Sequence, residues 1–304
     1  MKIAIFGSGG VGGYFGGRLA AAGEDVTFLA RGAHLKAMQE GGLHIESPSG
    51  NLHLPKVHAT DRPEAAGPVD VVLFTVKLYD VDASAATLKP LIGPNTVVIT
   101  LQNGVEAMDM VASHVGAAHV AGGAAYIVVV IDKPGHLRHT TAHSLVFGER
   151  DGRRSDRLVA FEEACLRAGF KGKASTEVQT DLWVKFIRLS TWSGMTAVTR
   201  SPMGIVRDDP ALFKMMMDAI DEALAVGRAR GITFPADILD TTLAMIKGFP
   251  PNSKSSMLED LERGRPLELP WLSGAVARLG GEAGVATPVH RFITAVLTPH
   301  ARGR

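Results

Sequence analysis

The feature that most restricts the fold of this chain lies in its first 29 residues. The apolar run from Lys2 to Phe6 predicts a strand, and Val11 to Ala22 predicts a helix that ends before Gly23. Asp25 to Leu29 predicts a second strand. A strand, a helix and a strand in this order form a parallel unit with a right-handed crossover, from which doubly wound α/β sheets are built.

A glycine-rich segment joins the first strand to the helix and consists of Gly7, Ser8, Gly9, Gly10, Val11 and Gly12. It fits G-x-G-x-x-G, in which the first glycine permits a tight turn, the second lets the backbone approach a pyrophosphate, and the third lets helix and strand pack closely. A purely structural glycine turn is the alternative. Because this motif follows a strand and opens a helix, whose N-terminus attracts phosphate, we predict that all six residues bind a dinucleotide.

The end of the second strand distinguishes NAD from NADP. An acidic residue there bonds the ribose hydroxyls of NAD, whereas an arginine accepts the additional phosphate of NADP. The sequence Phe28-Leu29-Ala30-Arg31-Gly32 contains no carboxylate. We therefore predict that Arg31 binds the 2′-phosphate of NADPH through charge-assisted hydrogen bonds, with a solvated surface arginine as the alternative.

Later apolar segments extend the predicted sheet. Val69 to Val76 and Thr96 to Leu101 are continuously apolar, as strands covered on both faces are. We expect one doubly wound sheet of about 150 to 170 residues. The other predicted elements are a hairpin over Leu43 to Val57 and two strands, His119 to Ile131 and His136 to Phe147, around the Pro134-Gly135 turn.

From about Thr176 the pattern changes to long segments with a period of 3.6 residues, which predict helices over Leu182 to Leu189, Leu212 to Ala229 and Leu272 to Leu279. A chain of 304 residues is also too long for one ordinary core. We therefore predict an α/β protein of two domains. Residues 1–173 form an N-terminal Rossmann dinucleotide-binding domain, and residues 174–304 form a C-terminal all-helical substrate domain.

Charge and composition exclude several other classes of protein. The 32 basic and 31 acidic side chains give a formal net charge of +1, so no overall field attracts nucleic acid or an anionic membrane. No apolar run reaches the roughly 18 residues of a membrane span, and glycines interrupt any signal-peptide region. We expect a cytoplasmic protein that binds neither nucleic acid nor membrane. The oligomeric state stays open, and a homodimer is among the alternatives.

Cysteine and histidine usage predicts neither a disulfide nor a metal site. The single Cys165 lies in an amphipathic helical segment, where a small thiol packs in a core. Among 11 histidines, His136, His139 and His143 lie close in sequence. In a hairpin, however, spacings of three and four residues do not share a face.

Two polar segments end predicted strands and are candidates for ligand contacts. Lys77 ends VDVVLFTVK, and Gln102-Asn103-Gly104 ends TVVITLQ. In a parallel sheet both lie at the carboxyl edge, where such folds bind ligands. A solvated lysine and an ordinary Asn-Gly turn are the alternatives.

Lys185 and Glu268 are the candidates in the helical part. Each is flanked by bulky apolar residues, in DLWVKF and LELPW respectively. We therefore expect partial desolvation of both charged groups. From the residues alone, a catalytic Lys185 and a lysine that extends to water are both open, and the same holds for Glu268.

Taken in order, these motifs resemble the ketopantoate reductase (2-dehydropantoate 2-reductase) family over essentially the whole chain. The resemblance implies a Rossmann domain, a helical domain and an active site in the cleft between them. It implies that NADPH reduces a 2-oxo acid to a 2-hydroxy acid, a reaction of pantothenate biosynthesis. The matching segments are GSGGVG, TVK with Lys77, LQNG with Asn103, LWVKF with Lys185, SSML from Ser255 to Leu258, and LELPWLSG with Glu268.

The resemblance also assigns roles to single residues. Lys185 becomes the general acid, which bonds the keto oxygen and delivers a proton as hydride arrives. Glu268 pairs with Lys185 or bonds the cofactor ribose, Asn103 orients nicotinamide and substrate, and Ser256 bonds the substrate carboxylate. Lys77 joins the cofactor contacts.

Three positions depart from the family pattern, in which the residues four, eight and eighteen positions after the catalytic lysine are commonly asparagines that hold the substrate. Here they are Leu189, Ser193 and Met203. Ser193 keeps a hydroxyl for the substrate, whereas leucine makes no hydrogen bond. The predicted substrate is therefore ketopantoate or a more apolar 2-oxo acid.

Two other functions stay open. A protein with a decayed substrate site would bind NADPH for sensing or assembly without catalysis. An imine or opine-type dehydrogenase would keep the cofactor residues and reduce a different acceptor. Retention of Lys185, Ser256 and Glu268 together favours a reductase.

Overall fold

The computed structural model describes residues 1–141 and 143–304. They divide into two compact units. Unit 1 comprises residues 1–102 and 106–178, and unit 2 comprises residues 103–105 and 179–304. Unit 1 is built on parallel strands and unit 2 on helices, as the sequence predicted.

The strands of unit 1 follow one another as β1 (Lys2–Phe6), β2 (Asp25–Leu29), β3 (Leu43–Glu46), β4 (Leu52–Leu54), β5 (His58–Thr60), β6 (Val69–Phe74), β7 (Ile92–Thr100), β8 (Val120–Tyr126), β9 (Val129–Lys133), β10 (His136–His139), β11 (Ser144–Glu149) and β12 (Lys171–Ala174). Its helices are α1 (Gly10–Ala21), α2 (Gly32–Gly41), α3 (Val81–Ala85), α4 (Ala107–Val115) and α5 (Asp156–Arg167).

The main sheet has eight strands in the order β12-β11-β8-β7-β6-β1-β2-β5. All its neighbours are parallel except β11 and β8. Strands β1, β6 and β7 lie at its centre. Almost all residues of β1 and β6 and the last five residues of β7 are buried, because helices cover parallel strands on both faces. The carboxyl ends of β1, β2 and β6 therefore meet at one edge, which carries the glycine-rich turn.

The prediction of a single sheet was wrong for the two hairpins. Strands β4, β3, β10 and β9 form a second sheet of four strands, in which β3 and β10 are parallel neighbours. The predicted strand His119 to Ile131 is divided into β8 and β9, and the predicted strand His136 to Phe147 into β10 and β11. An apolar run shows that a strand is covered but not which sheet covers it. Ala142, inside the second of these predicted strands, lies outside the described residues.

The core of unit 1 confirms the structural reading of Cys165. Its thiol lies fully buried on α5 in a cluster with Phe147, Phe161 and Phe170. Burial raises the pKa of this thiol, because an apolar environment disfavours the thiolate. Cys165 is therefore an inert packing residue.

The sequence analysis expected His136, His139 and His143 not to share a face, but two of them lie close together. The rings of His139 and His143 stack with centroids 5.5 Å apart, and Tyr14 of α1 contacts both. His143 follows the end of β10, so strand alternation does not determine its direction. No group of three metal-ligating side chains occurs within residues 1–141 and 143–304.

Unit 2 is helical. Its helices are α6 (Val178–Thr199), α7 (Met203–Asp208), α8 (Pro210–Ala229), α9 (Ile238–Gly248), α10 (Ser256–Glu262), α11 (Ser273–Glu282) and α12 (Pro288–Leu297), with the first residue of α6 still in unit 1. No helix in the described parts of the chain is long and apolar enough to span a membrane.

A buried polar cluster fixes α12 against α8 in the core of unit 2. The carboxylate of Glu222 accepts hydrogen bonds from the backbone N–H groups of Val289, at 2.7 Å, and His290, at 3.0 Å. The His290 ring is fully buried, and its Nε2 lies 3.0 Å from the Ala219 carbonyl oxygen. Burial lowers the pKa of His290 to about 4, because the apolar surroundings disfavour the imidazolium.

Candidate active site

The glycine-rich turn of unit 1 is held by β2. Gly7 has a φ of +98°, which a residue with a side chain rarely adopts. The N–H groups of Gly7 and Ser8 both donate to the Leu29 carbonyl, at 3.2 and 3.0 Å. The buried Ser8 hydroxyl donates to the same carbonyl at 3.0 Å. Ser8 thus positions the turn, and its side chain faces the protein.

The other glycines of the motif differ in what surrounds them. A Cβ on Gly9 would meet no atom within 4 Å in the described part of the chain. A Cβ on Gly12 would lie 2.4 Å from Thr75 Oγ1, and one on Gly10 would lie 2.5 Å from the Val129 carbonyl oxygen. Gly9 therefore leaves space for a phosphate to approach, whereas Gly10 and Gly12 are required for packing.

Thr75, which directly follows β6, also holds the glycine-rich turn in place. Its hydroxyl donates to the carbonyl oxygens of Gly7, at 2.6 Å, and Phe6, at 3.2 Å. The sequence analysis did not single out Thr75, although it stands two residues before Lys77 in TVK. The sequence signal that could have identified Thr75 is its position directly after a predicted strand of the sheet, where a side chain is able to reach the glycine-rich turn.

A cavity of about 370 Å³ lies beside this turn, and all its lining residues belong to unit 1. Arg31, exposed at the N-terminus of α2, and Lys77, exposed after β6, supply its cations. Asp61 and Asp80 supply its carboxylates. The cavity thus joins the open backbone at Gly9 to two cations, and these residues fit a phosphorylated nucleotide.

In unit 2, Lys185 lies half-buried on α6, next to the buried Phe186 and one turn before Leu189. Burial lowers the pKa of its ammonium group to about 8, and the negative charge of Glu268 opposes that decrease. A lysine with this pKa is able to give up its proton close to neutral pH.

Glu268 stands beside Lys185 and is held by Asn103. Its side chain is 6% exposed, between the buried Leu267 and Leu269. The amide Nδ2 of Asn103 donates to Glu268 Oε2 at 3.2 Å. Gly104, with a φ of +99°, turns the chain immediately after Asn103. Asn103, Lys185 and Glu268, which are distant in sequence, thus come together in unit 2.

The two predicted serines have different surroundings. Ser193 lies two turns after Lys185 on α6, is fully buried, and its Oγ has no hydrogen-bond partner among the described residues. Ser256 is exposed at the first residue of α10. Its neighbour Ser255 is buried, accepts the Leu258 N–H at 3.1 Å and lies 2.7 Å from Thr196 Oγ1. Ser255 therefore joins α10 to α6.

Comparison with known proteins covers both units. The family model described as ketopantoate reductase PanE/ApbA matches residues 3–152, and the model described as ketopantoate reductase PanE/ApbA C terminal matches residues 177–301. The chain belongs to the ketopantoate reductase family. Its resemblance to that family, inferred from six short segments, is confirmed.

Individual relatives in the ketopantoate reductase family match nearly the full length of the chain. A 2-dehydropantoate 2-reductase of Mesorhizobium japonicum is 32% identical, with 98% of this chain and 97% of the relative covered. One from Archaeoglobus fulgidus is 31% identical, with 96% and 95% covered. The crystal structure of a PanE/ApbA family ketopantoate reductase from Ralstonia eutropha JMP134 has a TM-score of 0.92 and 32% identity, with 99% and 98% covered.

The positions that depart from the family pattern lie at different depths. Leu189 is half-buried, one turn after Lys185. Met203 is fully buried in the core of unit 2, where its N–H donates to the Ser253 carbonyl at 2.9 Å. Trp192, which the sequence analysis missed, packs its ring against Phe249 with centroids 4.3 Å apart. Leu189 and Trp192 are both half-buried and share the helix face of Lys185. Leu189 is apolar, whereas the indole Nε1 of Trp192 is a buried donor without a hydrogen-bond partner among the described residues.

Proposed function

We propose that this member of the ketopantoate reductase family is an NADPH-dependent reductase that converts a 2-oxo acid to the 2-hydroxy acid. The observation that carries the proposal is Lys185, a partly buried lysine with a pKa of about 8 next to a buried carboxylate. An acid with a pKa near the working pH is protonated at rest and still transfers its proton readily.

The residues of unit 1 support the choice of NADPH. When bound, NADPH supplies the hydride. The N-terminus of α1 and the open backbone at Gly9 would hold its pyrophosphate. Arg31 and Lys77 would hold its phosphates from the rim of the cavity, with Arg31 at the end of β2 on the 2′-phosphate.

Lys185 would act on the substrate carbonyl. Its ammonium donates a hydrogen bond to the keto oxygen and stabilises the negative charge that develops there. As the C2 carbon gains a hydride, the C=O π electrons move to the oxygen, which takes a proton from Nζ. The products are the 2-hydroxy acid, NADP⁺ and a neutral lysine, and solvent then returns the proton.

Glu268 and Asn103 would keep this acid in its working state. The Glu268 carboxylate attracts the proton on Lys185 and so opposes the effect of burial on the pKa. Asn103 fixes the carboxylate through its 3.2 Å hydrogen bond. We propose in addition that Asn103 orients nicotinamide and substrate and that Glu268 contacts the cofactor ribose.

The substrate would be ketopantoate or a more apolar 2-oxo acid. The Ser193 hydroxyl, buried and without a partner among the described residues, suits a polar group of the substrate, and the exposed Ser256 suits its carboxylate. Leu189 is apolar surface on the same helix face as Lys185. That surface favours an apolar substituent on C3 over one that needs a hydrogen bond.

The proposal is tested by measuring the steady-state rates at which the protein reduces a panel of 2-oxo acids, ketopantoate included, with NADPH as the reductant. Because Lys185 is the proton donor, Lys185→Ala is expected to lower kcat at least about 100-fold while NADPH affinity changes less than about threefold. The exposed Lys171→Ala is the matched control and should retain full activity. Binding of NADPH without turnover of any oxo acid would instead indicate a non-catalytic protein, and turnover that requires an added amine would indicate an imine-forming dehydrogenase.

A further inference from the structure

His34 is a polar residue of the nucleotide cavity for which the proposed function gives no role. It is the third residue of α2 and lines the cavity together with Arg31, which directly precedes that helix. Its Nδ1 accepts a hydrogen bond of 3.1 Å from the backbone N–H of Gly135, in the turn between β9 and β10. The ring thus connects the cavity to the second sheet.

This hydrogen bond determines where the ring carries its proton. An Nδ1 that accepts from a backbone N–H has no hydrogen, so the neutral ring is protonated on Nε2. Burial lowers the pKa of His34, and a weak hydrogen-bonding interaction with the Ser8 backbone, which falls outside hydrogen-bond distance and angle, opposes that effect only in part. Neutral His34 therefore presents an N–H donor at Nε2.

The Nε2 donor is buried and has no hydrogen-bond partner, by distance and angle, among the described residues. Buried donors in native proteins are nearly always paired, so an orphan in the wall of a ligand cavity indicates that the ligand supplies the acceptor. Arg31 and Lys77 line the same cavity, so a phosphate held by these cations lies within the cavity that Nε2 also lines.

We infer that Nε2–H of His34 donates to the 2′-phosphate of NADPH and is a second determinant of NADPH specificity beside Arg31. The inference rests on the proposed use of NADPH. Its location supports the 2′-phosphate over the pyrophosphate. His34 lies on the first turn of α2, a helix of ten residues whose N-terminus directs backbone N–H groups toward the end of β2.

Two substitutions distinguish the roles of the two ring nitrogen atoms of His34. Asparagine places an amide oxygen near the Nδ1 position, so His34→Asn keeps an acceptor for Gly135 and removes the cavity donor. Glutamine places an amide N–H near the Nε2 position, so His34→Gln keeps the cavity donor and loses the acceptor for Gly135. A merely structural His34 would make the glutamine variant the more damaged of the two.

The test is calorimetric titration of each protein with NADPH and with NADH, together with thermal unfolding. His34→Asn is expected to bind NADPH about tenfold more weakly, the loss of one charge-assisted hydrogen bond, and NADH within about twofold of wild type. His34→Gln should bind NADPH within about threefold of wild type. Its midpoint of unfolding should fall more than that of the asparagine variant.

Other outcomes overturn the inference in distinguishable ways. If wild type prefers NADPH and His34→Asn keeps that preference, His34 is not a ligand of the 2′-phosphate, while the proposed cofactor stands. If His34→Asn weakens the binding of NADPH and NADH equally, His34 contacts a group that both cofactors contain. This result also overturns the assignment to the 2′-phosphate. If wild type binds NADH and NADPH equally, the proposed NADPH specificity fails together with the inference.

Discussion

At the scale of single residues, the balance of two influences on Lys185 determines what the site does. Burial removes water from the ammonium group and favours the neutral amine, whereas Glu268 favours the ammonium. The resulting pKa of about 8 leaves roughly nine in ten molecules protonated at pH 7. Reduction consumes this proton, so the rate should decrease as the pH rises past about 8.

Glu268→Gln tests that balance. Glutamine is nearly isosteric and still bonds Asn103, but it removes the negative charge that raises the pKa of Lys185. The alkaline limb of the kcat/KM profile should therefore move to lower pH, by about one pH unit, and activity at pH 8 should fall more than activity at pH 6. Glu282→Gln, exposed at the end of α11, is the control and should leave the limb in place. An unmoved limb in the Glu268 variant would show that this carboxylate does not set the proton affinity of Lys185.

The sequence predicted which residues of this site to examine but not which of them contact one another. Lys185 and Glu268 were identifiable because charged groups flanked by bulky apolar residues are unusual, and the family pattern named them. Their proximity and the role of Asn103 in holding Glu268 depend on segments more than 80 residues apart. Thr75 and His34 were missed because each acts through a contact with a distant backbone group.

At the scale of elements, the glycine-rich turn is packed on two sides and open on the third. Thr75 of the β6 end lies against Gly12, and β9 of the second sheet lies against Gly10. Among the glycines of this motif, only Gly9 has open space on the side where a Cβ would stand, with no atom of the described residues within 4 Å. The three glycines of the pattern thus meet three separate requirements, a left-handed turn, an open approach and close packing.

Substitution of two of these glycines should separate binding from folding. Gly9 has a φ of −72° and a ψ of −155°, at the border of the extended region, and an added Cβ would meet no atom within 4 Å in the described residues, so Gly9→Ala should lose less stability than Gly12→Ala and unfold within about 4 °C of wild type. The added methyl group would occupy the phosphate approach and weaken NADPH binding at least about tenfold. Gly12→Ala places a methyl group 2.4 Å from Thr75 Oγ1 and should lower the melting temperature by several degrees. Scanning calorimetry and NADPH titration measure both effects, and a strongly destabilised Gly9→Ala would contradict this division.

The strands show where sequence patterns reach their limit at this scale. Both hairpins were predicted near their actual positions, because turn residues and apolar runs are local signals. Their partners were not, since β3 and β10 pair across about 90 residues. The consequence matters for the site, because the second sheet supplies both Val129 against Gly10 and Gly135 against His34.

At the scale of the whole molecule, the two units offer separate observables. All three tryptophans, Trp183, Trp192 and Trp271, belong to unit 2, so their fluorescence reports the unfolding of that unit. The buried His290 belongs to unit 2 as well, and its Nδ1 has no hydrogen-bond partner among the described residues. The stability of unit 2 should therefore depend on pH through a group that is unrelated to catalysis.

The direction of that dependence follows from the pKa of His290, about 4 in the folded protein against the ordinary value of 6.5. Above pH 6.5 the ring is neutral in both states. As the pH falls from 6.5 towards 4, His290 becomes protonated in the unfolded chain but stays neutral in the folded protein. The free energy of unfolding therefore decreases by up to about 3 kcal/mol. Glu222 acts in the opposite sense, because burial raises its pKa and its protonation is therefore easier in the folded state.

His290→Gln isolates the histidine from these other groups. Glutamine does not titrate, its amide N–H is able to replace the bond to the Ala219 carbonyl, and its backbone N–H still donates to Glu222. Urea unfolding followed by tryptophan fluorescence should show the free energy of unfolding decreasing between pH 7.5 and 4.5 by about 2 to 3 kcal/mol less in the variant than in wild type. His58→Gln, exposed on β5 of unit 1, should retain the wild-type dependence. Equal slopes in wild type and His290→Gln would mean that other groups destabilise unit 2 in acid, with Glu222 the next to substitute.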